Sequence, residues 1–177
     1  MNILDIVENS TRAGATLVRI GITEDRGDDT LRIEIADNGD GMDPDVVQHV
    51  LDPFYTSKTV RRVGLGLSML SQAARATGGG CTIESEKGTG TTVTALFGYR
   101  HIDRQPLGDM ATTIITMITG NPGVDFVYGH VNEKGSYTLD TREIKDGLED
   151  VPIENPTVLR FLKENIRDGL KEIGAGR

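Results

Sequence analysis

Asp5 and Asn9 open the chain's chemistry. Four residues apart, they project from one face of a helix. An asparagine side-chain oxygen is a hard, neutral ligand suited to Mg²⁺, an ion that usually keeps several waters. A carboxylate one turn away can orient an attacking water or take its proton. The plainer role for Asp5 is a first-turn acid facing the helix dipole. Glu8 is off the Asp5–Asn9 spacing and reads as solvated or as a group that supports the site from behind. A second group is Asp37-Asn38-Gly39-Asp40-Gly41-Met42, a carboxylate that closes an apolar strand and opens a glycine-rich loop. Gly39 and Gly41 let that loop approach a ligand closely, and Met42 and Ala13 are apolar side chains suited to line it. Alone, the segment is also an ordinary Asn-Gly turn. The third group runs Asp52-Pro53-Phe54-Tyr55-Thr56-Ser57-Lys58, followed by Val63-Gly64-Leu65-Gly66-Leu67. Lys58, Arg61 and Arg62 bring positive charge beside glycines whose N–H groups begin a helix, a ready anion site; the plainer reading of the three is a solvated basic loop. The fourth, Gly88-Thr89-Gly90-Thr91-Thr92, is a tight turn with a hydroxyl just after it.

The elements that position these groups are legible in the pattern. A helix is predicted over 2–13, with Ile3, Ile6, Val7 and Ser10 on one face. Strands are predicted over 17–23 and 30–36, joined by a turn at Asp28-Asp29. In the second strand Leu31, Ile33 and Ile35 alternate with Arg32 and Glu34. Asp43 and Pro44 read as N-cap and first position of a short helix reaching Leu51. After a polar loop over 52–66, a helix over 67–77 stops at Gly78-Gly79-Gly80. Strands over 81–86 and 91–98 flank the turn Lys87-Gly88-Thr89-Gly90. This order implies a sheet with helices on one face. Beyond a linker from Arg100 to Pro106, a helix over 107–118 and a hairpin of 124–131 with 136–140 are expected. A last helix starts at Asn155 and Pro156, with the stripe Val158, Leu159, Leu162, Ile166, Leu170 and Ile173. The fold class is therefore α+β: a domain over 1–100, and a small α+β extension over 105–177 suited to docking a partner.

Bulk properties narrow the function classes. The net charge of -8 argues against non-specific nucleic-acid binding and against an anionic membrane surface. A lone Cys81 forms no internal disulfide, which points to a reducing, cytoplasmic setting. No targeting segment or membrane span is read in the sequence. The histidines are scattered: His49 reads as structural or exposed, and His130 has no acid, His or Cys at ligand spacing, so no metal site is expected there.

In their order along the chain, the four segments resemble the N, G1, F, G2 and G3 boxes of the gyrase, histidine-kinase and MutL superfamily, over roughly residues 2–98. The resemblance implies a two-layer α/β sandwich of the Bergerat ATP-binding type, with ATP and Mg²⁺ as cofactors. It implies ATP contacts from Asn9, Ala13, Asp37, Gly39, Gly41, Met42, Lys58, Gly64, Leu65, Gly66, Leu67 and Thr91. Asn9 would hold the metal and Asp5 would be catalytic. Asp37 would accept from the adenine amino group, with Thr91 joining it through water, and the segment from Phe54 to Gly66 would be a lid over the triphosphate. Hydrolysing relatives usually have glutamate where this chain has Asp5, so slow turnover is expected. The first segment is most similar to MutL, and the lid and last segment to histidine kinases. No phospho-acceptor hairpin precedes the first box, so the expected activity is kinase or ATP-driven regulation of a separate, unidentified protein, with a homodimer left open. The alternatives are a slow ATPase switch and a non-enzymatic nucleotide sensor. His101-Ile102-Asp103-Arg104-Gln105-Pro106-Leu107 resembles a phospho-acceptor box, but Ile102 stands where its acid belongs, and His101 reads as a linker residue.

Overall fold

In the computed structural model the described residues are 3–51 and 66–175. Helix α1 (Ile3–Arg12) buries Ile3, Ile6, Val7 and Ser10, the face expected from its period. Strands β1 (Leu17–Asp25) and β2 (Thr30–Asp37) pair antiparallel, with Ile20 opposite Ile35 and Ile22 opposite Ile33. Helix α2 (Pro44–Val47) is shorter than expected, and Asp43 makes no side-chain cap. Its carboxylate pairs instead with Lys87, at 2.9 Å, which leaves the helix start uncapped. Helix α3 (Gly66–Ala76) leads to strands β3 (Gly80–Glu86) and β4 (Gly90–Gly98).

The C-terminal segment begins with α4 (Met110–Gly120), three residues later than expected. Gly108 has φ +82°, a left-handed conformation no helix continues. Asp109 then caps the helix by accepting from the Thr112 N–H at 3.0 Å. Those Thr112 bonds hold the Asp109 carboxyl far below its usual range. Strands β5 (Asp125–Asn132) and β6 (Gly135–Asp140) form the expected hairpin. Helix α5 (Thr141–Gly147) was not anticipated; the Asp140 side chain caps it through the Arg142 N–H. Helix α6 (Pro156–Glu172) starts at Asn155, whose side chain accepts from Thr157 N–H, and it buries Leu162 and Ile166.

All six strands join one sheet in the order β3-β4-β2-β1-β5-β6. The junction is β1 with β5, a parallel pair that sets Ile20 beside Tyr128. Alternation along the strands gives one buried face, made by Val18, Ile20, Ile22, Leu31, Ile33, Ile35, Phe97, Phe126 and Tyr128. Helices α3, α1, α4 and α6 cover that face in a row. The protein is thus a mixed α+β, two-layer sandwich. Among the described residues no helix is long and apolar enough to cross a membrane.

A buried polar chain crosses the β1–β5 junction. His130 is fully buried, and its Nε2 lies 2.8 Å from Glu24 Oε1. Its Nδ1 lies 2.9 Å from the Tyr128 hydroxyl. Tyr99 donates to the other Glu24 oxygen at 3.0 Å. One tautomer satisfies every atom: Tyr128 O–H donates to Nδ1, and Nε2–H donates to the carboxylate. Burial outweighs the Glu24 contact and lowers the His130 pKa, which favours this neutral form.

Candidate functional site

Strand register assembles the site. Asp37, the last residue of β2, is opposite Thr91 on β4. Thr91 is in turn opposite Ser85 on β3. Helix α1 brings Ser10 over the strand end, and its hydroxyl donates to Asp37 Oδ2 at 2.6 Å. The Gly39 N–H donates to Oδ1 at 2.9 Å. Two donors from different elements therefore fix the carboxylate plane, and lone pairs remain free on both oxygens. Ser85 donates its single proton to the Gly90 carbonyl at 2.9 Å, and Thr91 Oγ1 is 2.8 Å from the same hydroxyl. Thr91 then donates to Ser85, which leaves the Thr91 oxygen an acceptor. Ser85 also accepts from the Met42 N–H at 2.8 Å, tying the glycine-rich loop to the sheet.

The loop is also held at its middle, through both main-chain groups of Asp40. The Asp40 N–H donates to the Ala13 carbonyl at 2.7 Å, and the Gly88 N–H donates to the Asp40 carbonyl at 2.7 Å. Asn38 accepts from the N–H groups of Thr16 and Leu17, both at 2.9 Å, and so pins the start of β1. Gly41 has φ +64°, and a Cβ there would lie 2.0 Å from the Glu86 carbonyl oxygen. Only glycine fits this close crossing of two backbones.

Between α1, the loop and the sheet end lies a cavity of about 280 Å³. Asp37, Thr91, Ser10 and Asn9 give it a polar floor, Ile6, Ala13, Met42, Val46, Leu67 and Val93 give it apolar walls, and Arg12, Asp40 and Asp43 also line it. A mostly apolar pocket with a few fixed polar groups is the usual form of a small-molecule site. The arrangement suits a flat heterocycle with an exocyclic donor: apolar walls for its faces, a held carboxylate for its N–H.

Of the residues singled out from sequence, Asn9, Ala13, Asp37, Gly41, Met42, Leu67 and Thr91 line this cavity. Gly39 lies behind it, where a Cβ would stand 2.8 Å from the Ala13 carbonyl oxygen. Asp5 and Gly66 are not on the cavity wall. They meet each other: a Cβ on Gly66 would lie 2.6 Å from the Asp5 Cβ. Asp5 therefore sits at the start of α3, one turn from Asn9. Lys58, Gly64 and Leu65, with Arg61 and Arg62, lie outside the described residues. Glu8 is exposed and pairs with Arg12, and His49 and His101 are exposed. Sequence reasoning missed the roles of Ser10 and Ser85. For Ser85 the expected hairpin was one residue out of register: its four-residue turn, Lys87 to Gly90, set Glu86 opposite Thr91, whereas Gly90 joins β4 and pairs with Glu86, which moves Ser85 opposite Thr91. Ser10 had only its place on the buried face of a helix.

Residues 2–100 match the family described as histidine kinase-, DNA gyrase B-, and HSP90-like ATPase. The chain is 42% identical over 65 residues to the sensor kinase CckA of Brucella abortus, covering 36% of this chain and 7% of that protein. It is 33% identical over 94 residues to the signal transduction histidine-protein kinase AfsQ2 of Streptomyces coelicolor, covering 51% of this chain and 17% of that one. Sporulation kinase D of Bacillus subtilis is 33% identical over 92 residues, covering 52% and 18% respectively. The chain thus spans less than a fifth of the length of each of these relatives.

Proposed function

Because the chain belongs to the histidine kinase-, DNA gyrase B-, and HSP90-like ATPase family, we propose that it binds ATP with Mg²⁺ beside Asp37 and uses it to phosphorylate or regulate a separate protein. The observation that supports this reading best is the convergence of Ser10, Asp37 and Thr91, from three elements, on the floor of one apolar cavity. The Asp37 carboxylate would accept the adenine amino proton, and the Thr91 oxygen would hold a bridging water. Met42, Ala13 and Leu67 would cover the ring. The first N–H groups of α3, from Gly66 and Leu67, are orphan donors suited to phosphate oxygens. Gly64, Leu65 and Lys58 would extend that set. Among the described residues no three His, Cys, Asp or Glu side chains converge as metal ligands. Asn9 fits Mg²⁺ as one neutral oxygen in a shell otherwise filled by phosphate and water. Bound there, the ion would neutralise phosphate charge. Asp5, one turn away beside the start of α3, would orient water or hold a proton.

The first test is thermal unfolding with Mg·ATP. A hundredfold excess over Kd should add about 2.7 kcal/mol of stability, and Asp37→Ala should remove the gain. An unchanged melting curve for the wild type at millimolar ATP refutes the reading. γ-labelled ATP then separates the activities. Label moved to a second protein supports the kinase; phosphate release alone supports an ATPase switch. Binding with neither outcome leaves a nucleotide sensor.

A further inference from the structure

Strand β6 is the last strand of the sheet and pairs only with β5 among the described residues. Its hairpin loop is two residues long, with Asn132 opposite Gly135. The pair flanking such a loop is hydrogen-bonded, and the pattern alternates from there. Gly135, Tyr137 and Leu139 therefore point their main-chain groups at β5. Ser136 and Thr138 point theirs outward, leaving four main-chain groups facing the open edge.

Helix α6 runs beside that edge. The Tyr137 hydroxyl donates to Asn165 Oδ1 at 2.8 Å, and the Tyr137 ring occupies the space a Cβ on Gly169 would need, at 2.1 Å. A groove of about 330 Å³ lies outside this contact, lined by Tyr137, Phe161, Glu164, Asp168 and Glu172 among others. Phe161 is 65% exposed there. None of the three acids pairs with a cation among the described residues. The helix sorts its charges on either side of its apolar stripe. Arg160, Lys163, Arg167 and Lys171 lie on the other flank, where Arg167 reaches Asp109 at 2.9 Å.

The geometry points to β6 and α6 as a docking site for an extended cationic peptide, added to the sheet as a seventh strand. The open edge supplies main-chain bonds, and alternate side chains of the incoming strand would face α6. The spacings agree. Glu164, Asp168 and Glu172 are one turn apart, roughly 6 Å along the helix, and alternate strand residues are roughly 6.7 Å apart. Lys or Arg at alternate positions would meet the acids, and an apolar residue at the end would meet Phe161. A second copy is the poorer occupant: two β6 edges pairing about a twofold axis would bring two acidic rows side by side. The site is remote from the nucleotide cavity, so it does not rest on the ATP reading.

The probe is a fluorescein-labelled decapeptide alternating lysine and threonine, with leucine at one end, titrated by fluorescence anisotropy against the full chain. Three changes should each weaken binding at least about tenfold, the loss of one or two charge-assisted bonds. They are N-methylation of the peptide's alternate amides, glutamate in place of its lysines, and the variant E164K/D168K/E172K. Thr138→Pro should do the same by removing one outward N–H. The Mg·ATP thermal shift should persist in both variants. Absence of wild-type binding overturns the proposal, as does equal affinity for the N-methylated peptide, which would show charge attraction without strand pairing. A dimer seen by sedimentation and dissociated by Thr138→Pro would assign the edge to a second copy instead. If Thr138→Pro fails to fold, the N-methylated peptide decides, because it leaves the protein unchanged.

Discussion

The carboxylate at the cavity floor makes nucleobase selectivity the most direct measure of the site. Asp37 is held by Ser10 at 2.6 Å and by the Gly39 N–H at 2.9 Å, so it cannot turn away from an unsuitable base. Adenine offers it an amino group. Hypoxanthine, in inosine triphosphate, offers a carbonyl oxygen of similar size at that position. The exchange removes one hydrogen bond to a charged acceptor, about 1.5–3 kcal/mol, and sets two acceptors face to face. ATP should therefore bind roughly 10- to 150-fold more tightly than inosine triphosphate. Asp37→Asn turns the position facing Ser10 into an NH₂ donor, and Ser10 can rotate its hydroxyl to accept from it. The variant should fold, lose affinity for ATP, and bind the two nucleotides within about fivefold of one another, the residue of neutral bonds worth roughly 1 kcal/mol. Isothermal titration of both proteins with both nucleotides gives the four constants needed. A wild-type preference that survives intact in Asp37→Asn would show that another group reads the base.

Other consequences are more local. Because burial lowers the His130 pKa, the unfolded chain binds more protons than the native one between the native pKa and about 6.5. Stability should then fall as pH drops below 6.5, and urea unfolding at pH 7.5, 6.5 and 5.5 should show a decline over the last interval that flattens in His130→Asn. Gly41→Ala combines a left-handed φ with a Cβ set 2.0 Å from the Glu86 carbonyl. It should cost about 3 kcal/mol, from backbone strain and overpacking, and lower Tm by roughly 6–12 °C, read by calorimetry. Asp5→Asn should leave nucleotide affinity within about twofold while lowering any phosphate release by roughly 10²–10⁴; equal release by both proteins would make Asp5 a helix-start residue only.

What the sequence revealed follows from how far apart the interacting parts lie. The helix face of Ile3, Ile6, Val7 and Ser10 and the alternation of Leu31, Ile33 and Ile35 are local patterns, and the structure buries those residues. The start of α6 was legible because Asn155 and Pro156 form a self-contained signal. The pairing of Asp37 with Thr91 had no local signal; only the ordered set of glycine segments pointed to it. Helix α4 was placed too early because Leu107 looks helical by hydrophobicity, whereas Gly108 and the Asp109 cap decide where the chain turns.

The β1–β5 junction shows the limit most clearly. Glu24 and His130 are separated by 106 positions in sequence, and no periodicity links them. Read along the chain, Glu24 is an ordinary polar residue near a strand end, and His130 is a histidine without partners. Together they satisfy one another, and Tyr99, from the segment between the two halves, completes the pair. A charge buried without partners would cost several kcal/mol, so closing the β1–β5 junction over these groups requires each half of the sequence to bring a partner for the other's polar residue. That mutual need is an argument for one continuous sheet, with the peptide-docking edge at β6 resting on the same strands that close the nucleotide cavity. It also explains why composition and motif, which located that cavity, were silent about the edge: a motif records residues that meet a ligand, whereas an open edge is defined by main-chain groups that every residue carries.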